Sequence, residues 1–144
     1  MKSRRSILTL AVTVTALLMV VIAVDYFFAK RKAESSLCQS GITSICLAAH
    51  IWAEHHDGLM PTNFICFSDE LTVPKILICP GDHLHQPASN WAKFTTNNCS
   101  YEILAPGLRA GDTNTPFLRC TVHGHFGYSD CTVYDGVRRH GKFD

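Results

Sequence analysis

The chain has 144 residues, with 13 Lys and Arg against 12 Asp and Glu and a charged fraction of 17%. A formal net charge of +1 gives no electrostatic case for nucleic acid or for a strongly anionic substrate. Seven cysteines and eight histidines are a heavy load for this length, so redox compartment and metal binding both enter the reading.

The first predicted element is a membrane anchor. Lys2, Arg4 and Arg5 precede Ile7 to Val24, an uncharged run of 18 residues whose only polar groups are the hydroxyls of Thr9, Thr13 and Thr15. As a helix this run covers about 27 Å, enough for the hydrocarbon layer. Lys30, Arg31 and Lys32 follow, so both flanks are basic. A short basic start places the amino end in the cytoplasm, with Tyr26, Phe27 and Phe28 at the outer interface. The competing reading is a cleaved signal peptide, which requires a shorter apolar region and a small-x-small site where this chain has aromatic and basic residues. Residues 1–32 therefore read as an anchor with basic flanks and 33–144 as a body outside the cytoplasm.

A second helical segment is predicted over 33–57. Leu37, Ile42, Ile45, Cys46, Ala49 and Trp52 recur at helical spacing and give it one apolar face. Ser35, Ser36 and Gly41 weaken it and predict a bend. Asp57-Gly58 and Pro61 end it, with Gly58 suited to a left-handed cap. The rest, 62–136, reads as β-rich. "PKILICPGD" predicts a buried strand from Lys75 to Cys79 closed by Pro80-Gly81-Asp82, and "NCSYEIL" a second. "FLRCTVHGHFGYSDCTVYDG" predicts two strands around His123-Gly124-His125, a turn at Ser129-Asp130 and a last strand from Cys131 to Tyr134. The fold class is α+β: one long N-terminal helix, membrane-spanning in its first half, packed against a small antiparallel sheet.

Among the chemically active residues, Cys38 and Cys46 lie about 12 Å apart along a helix and cannot bond each other. An odd number of cysteines leaves at least one free or paired with another chain. "CPGDHLH" offers Cys79, His83 and His85, and "CTVHGH" offers Cys120, His123 and His125. Cys79, His83, Cys120 and His123 would suit a tetrahedral zinc site, although their spacing is not that of a standard finger. Surface histidines beside a disulfide are the competing reading. His50, His55 and His56 lie near the helix end, where imidazolium favours the dipole. His50 with Asp57, or His123 with Asp130, could supply part of a nucleophilic site with Cys120 or Cys131. So small a body gives no obvious substrate cleft, and the reading is non-enzymatic.

The order of motifs resembles the type IV pilin-like proteins, specifically the small pseudopilin-like proteins of planctomycete and verrucomicrobial bacteria. The residues that carry the resemblance are Cys38, "ITSICLAAHIWAEHHDGLMP", "PKILICPGD", "NWAKFTTNNCSYEILAPG" and "RCTVHGHFGYSDCTV", from about Cys38 to Val133. The resemblance implies a helix whose first half lies in a membrane or filament core and whose second half supports a small sheet. It implies a subunit of a type II secretion or type IV pilus-like assembly, in the cytoplasmic (inner) membrane with its body on the periplasmic or extracellular side. Its partners would be copies of itself or other pilin-like subunits, bound through the N-terminal helix. The prepilin pattern places a processing junction at Ser6 and Ile7, with Ala11 where the usual glutamate stands, so the pairing of that carboxylate with a neighbour's amino terminus is unavailable. The same pattern brings cysteines together at Cys79 and Cys120, which implies a disulfide between them. It also replaces the turn glycine after Asp130 by Cys131. No cofactor is required; zinc at the cysteine and histidine set, or calcium near Asp130 and Asp135 as some related pseudopilins hold it, are the alternatives.

Overall fold

The structure, a computed structural model, describes the backbone of residues 2–140 and the side chains of residues 12–140. Helix α1 spans Lys2–Glu54, 53 residues with no non-helical break. The chain divides into two compact units, residues 1–33 and 34–144. In the first unit every described side chain is exposed, including Leu17, Leu18, Met19 and Phe28, and α1 is long and apolar enough to cross a membrane. Arg31 lies over the Phe27 ring, 4.6 Å from its centroid. Ser6, Ile7 and Ala11, the residues of the expected processing site, belong to α1, but their side chains lie outside the described residues.

In the second unit α1 becomes amphipathic. Cys38, Ile42, Ile45, Cys46, Ala49 and Ala53 are buried, each with another of them three or four residues away, so one stripe of the helix faces the core. The buried stripe starts at Cys38 and not at Leu37, which is exposed; Trp52 is half-buried. At the expected weak point the helix assignment is unbroken, and Gly41 is explained by space: a Cβ there would lie 3.2 Å from the Tyr101 hydroxyl. The helix ends as Asp57 and Gly58 both take left-handed φ, 56° and 71°, and the Gly58 N–H bonds back to the Ala53 carbonyl.

Strands begin later than the sequence suggested. Residues 62–100 form short helical turns: α2 (Ser68–Leu71) and three 3-10 turns at Pro74–Leu77, Trp91–Lys93 and Thr96–Asn98. The strand expected at Lys75 to Cys79 is one of these. Pro74 has its φ fixed and no N–H to give to a ladder, and at the first helical position it costs nothing. The Ile78 N–H then closes onto the Lys75 carbonyl at 3.1 Å.

The sheet is an antiparallel meander of β1 (Tyr101–Ile103), β2 (Pro116–Cys120), β3 (Phe126–Tyr128), β4 (Val133–Tyr134) and β5 (Arg139–His140), in that spatial order. The expected strands around His123-Gly124-His125 are β2 and β3; the last expected strand starts at Val133, and β5 was not foreseen. Phe117, Leu118, Cys120 and Val133 meet the buried stripe of α1 together with Met60, Phe67 and Leu77. The helix lies tight against Gly127 of β3, where a Cβ would stand 2.5 Å from Ile42 Cγ2 and 2.8 Å from Cys46 Sγ. Glycine at 127 lets the helix lie against the strand. The result is the α+β arrangement of one long helix packed on a small antiparallel sheet.

Candidate metal centre

Four segments meet at one corner of the body. Cys38 comes from the buried stripe of α1 and Cys79 from the chain just after the Pro74–Leu77 turn. Cys120 is the last residue of β2, and His123 lies in the tight turn that follows it. That turn is closed by the Gly124 N–H on the Cys120 carbonyl and by the Cys120 N–H on the His125 carbonyl, with Gly124 at φ 69°. The three sulfurs and one imidazole nitrogen all lie within 4.8 Å of one another. His123 Nδ1 is 3.1 Å from Cys79 Sγ. The cysteines are 0%, 1% and 0% exposed in chain order, and His123 is half-buried.

Ser100, just before β1, ties two of these segments together. Its N–H bonds to the Leu77 carbonyl, its Oγ accepts the Cys79 N–H at 2.9 Å and donates to Asp82 Oδ2 at 2.6 Å. Its carbonyl accepts both the N–H and the hydroxyl of Thr121. A fully buried serine thus uses each of its polar groups to hold the Cys79 turn against the chain beside Cys120. Sequence reading had no signal for this role, because every partner of Ser100 is set by tertiary pairing.

The sulfurs are electrostatically coupled. The Cys38 thiol is pushed far up by its hydrogen bond to Cys120, then by that to Cys79 and by burial. Cys79 is pushed up to about 11, chiefly by its hydrogen bond to Cys120. Cys120 moves the other way because Cys38 and Cys79 both donate to it, with the backbone N–H groups of His123 and Val122 adding to the effect. The Tyr101 hydroxyl points at Cys38 Sγ from 4.0 Å, and burial raises its own ionisation well above the ordinary value.

Three of the four residues anticipated for zinc are brought together: Cys79, Cys120 and His123. The fourth, His83, is exposed. The reason lies in Asp82, whose carboxylate accepts the N–H groups of Leu84 and His85 and the His85 ring at 2.7 Å, and so turns the chain outward at 83. Burial alone would raise the Asp82 carboxyl; hydrogen bonds from Ser100, His85 and Leu84 more than offset this and hold it well below the usual carboxylate range. Cys38 takes the fourth place. Its signal was its position four residues before Ile42 on the apolar face. His125 is buried, stacks on His123 at 5.3 Å between ring centroids and faces the Ser35 hydroxyl through Nε2 at 3.3 Å. Burial lowers its pKa.

All seven cysteines are free thiols, so Cys79 and Cys120 are neighbours without the disulfide that the resemblance implied. Cys46, Cys99 and Cys131 are also buried, and burial pushes each thiol up, to about 11 for Cys99 and Cys131. Of the three histidines near the end of α1, His56 donates from Nδ1 to the Trp52 carbonyl at 2.7 Å and stacks on the Trp52 ring. Asp130, considered as a partner for His123, instead accepts from the Thr132 N–H and hydroxyl and lies 3.5 Å from Arg139.

What the corner can do chemically follows from its donor set. Three thiolates and a neutral imidazole match a borderline-soft, tetrahedral divalent ion, for which Zn–S distances of about 2.3 Å imply sulfurs about 3.8 Å apart. The spread of ligand atoms needs only a small contraction to reach that geometry, so this Cys3His cluster could hold a metal ion. A scan against protein-family models, a search of curated proteins and a search of solved structures each return no match to this chain.

Proposed function

We propose that the protein is a non-enzymatic, single-pass membrane subunit of the pilin-like kind, a component of a type II secretion or type IV pilus-like assembly or of a related surface structure. The observation that supports it is α1: the helix with an exposed apolar segment is the same helix that supplies the core stripe of the body. Apolar side chains such as Val14, Leu17 and Val21 can exchange lipid for the helices of neighbouring copies, where packing and not the hydrophobic effect drives association. The body then stands on the periplasmic or extracellular side of the cytoplasmic membrane. The test is a photo-crosslinking amino acid at Leu18 in membranes of a producing cell, read together with the intact mass. Crosslinked oligomers are expected. A chain that crosslinks to lipid alone overturns the assembly role and leaves an anchored surface protein. Loss of residues 1–6 from the mass would mark processing at Ser6.

A second reading concerns the body, and the convergence of Cys38, Cys79, Cys120 and His123 favours it: an exported zinc-binding module, in which the ion is structural. Chelation should then loosen the body, whereas a body held by a disulfide should respond to reductant alone.

A further inference from the structure

We propose that the centre is a closed zinc staple in which His123 coordinates through Nδ1 and Gly81 is the positioning residue that admits its ring. This inference rests on the zinc reading above.

The imidazole has only one nitrogen turned toward the sulfurs. Nδ1 faces Cys79 Sγ at 3.1 Å, while Nε2 and Cε1 lie over Gly81. A Cβ built at Gly81 would stand 2.7 Å from His123 Cε1 and 3.1 Å from Nε2, with Val122 Cγ1 next at 3.6 Å. Real Cβ atoms do not approach to 2.7 Å, so any side chain at 81 must move the ring. Gly81 is not among the residues with positive φ, so its backbone conformation is open to L-residues. The glycine answers a demand for space, and the space is filled by the ring of a ligand.

The turn after β2 serves the charge of the centre. Three thiolates around a divalent ion leave one net negative charge, which requires donors in the surrounding shell. The His123 N–H bonds to the Cys120 sulfur at 3.4 Å. This turn therefore aims a backbone N–H at its own cysteine, in the manner of a charge-assisted hydrogen bond. Four protein ligands and three buried cysteines leave no open position, which makes the ion structural and not hydrolytic. Because its ligands span from residue 38 to residue 123, the ion fastens the second half of α1 to the end of β2.

The experiment uses the full chain in detergent, purified under reductant and loaded with zinc or cobalt(II). One zinc per chain is expected for the natural sequence, with a cobalt spectrum of tetrahedral S3N type. Long-range nitrogen–proton NMR of the zinc form should place the metal on Nδ1 of His123. Gly81→Ala should keep the thiolate-to-cobalt charge transfer, shift the d–d bands as the nitrogen leaves, and weaken zinc roughly 10- to 100-fold in chelator competition. Cys66→Ser, at an exposed thiol, should change neither readout. A natural chain that takes no zinc, or takes only copper(I), overturns both the zinc reading and this inference. Zinc bound with Nε2 coordination, or bound equally well by Gly81→Ala, overturns the inference and leaves the zinc reading standing. If Gly81→Ala does not fold, the NMR assignment on the natural chain decides alone.

Discussion

Two corners of the body gather ionisable side chains at the sheet, and they differ in the chemistry of the groups that meet there. At β4 and β5, Asp130 accepts from Thr132 and lies beside Arg139, whose guanidinium also sits 3.7 Å over the Tyr128 ring. Asp135 accepts the Val137 and Arg138 N–H groups at 2.9 Å each and His140 Nε2 at 2.7 Å. Each carboxylate there already has N–H or cationic donors, which weighs against the calcium alternative. At the thiol corner the partners are other thiols and one imidazole, all of them able to donate electrons to the same point. A cluster of carboxylates that satisfies itself needs no ligand; a converging cluster of three sulfurs and an imidazole could hold a soft cation.

The largest effect expected from this contrast is on metal removal. A strong chelator, or Cys120→Ser, should lower the melting temperature of the body by at least about 15 °C, because structural zinc supplies folding free energy directly. Reductant with zinc retained should leave the melt unchanged. The reverse pattern, sensitivity to reductant and not to chelator, would return Cys79 and Cys120 to the disulfide implied by the pilin-like resemblance.

Asp130→Ala should cost less, about 1–3 kcal/mol, by leaving the N–H and hydroxyl of Thr132 without their acceptor. Chelation should not change that difference when measured by urea denaturation, since the two corners share no ligand. A chelator-dependent difference would show that the corners are coupled and that the contrast between them is false.

A smaller effect separates the corners by pH. Hydrogen bonds from the Arg138 N–H, from His140 and from the Val137 N–H hold the Asp135 carboxyl well below the usual carboxylate range. A depressed folded-state value means that the unfolded chain takes up the proton first. The contribution is therefore complete above the unfolded value and is lost as pH falls through about 4 and below. Urea midpoints measured from pH 6 down to pH 3 should fall less steeply in Asp135→Asn than in the natural chain. Parallel slopes would remove Asp135 from the account of acid stability.

How much of this was legible in sequence depends on how local its cause is. Cys79, Cys120 and His123 could be named because they fall in two short runs, "CPGDHLH" and "CTVHGH", that each set a cysteine close to histidines. Cys38 was passed over because Leu37 and Cys38 are adjacent and either can open an apolar stripe. Only the sheet decides the phase, through the contact of Ile42 and Cys46 with Gly127. The Lys75 to Cys79 strand failed for a local reason that was present in the sequence: Pro74 favours the first turn of a helix over a ladder. Ser100 could not be found, since its partners at Leu77, Cys79, Asp82 and Thr121 meet only in the folded chain.

Cys131 offers the smallest and most balanced test. Its φ is 61°, in the left-handed region. The turn therefore holds a backbone conformation that favours glycine, at a cost of about 1–2 kcal/mol for a residue with a Cβ. Against that cost stands a buried thiol, 4% exposed, whose packing is lost on truncation. Burying a group of one carbon and one sulfur is worth about 1–2 kcal/mol, so the two terms nearly cancel. Cys131→Gly should shift the urea-denaturation free energy by less than about 1 kcal/mol, with zinc content unchanged because Cys131 is not a member of the metal cluster. Stabilisation beyond that bound would mean that backbone strain outweighs the side chain. A larger loss would mean that the packing of the buried thiol outweighs the strain of its backbone.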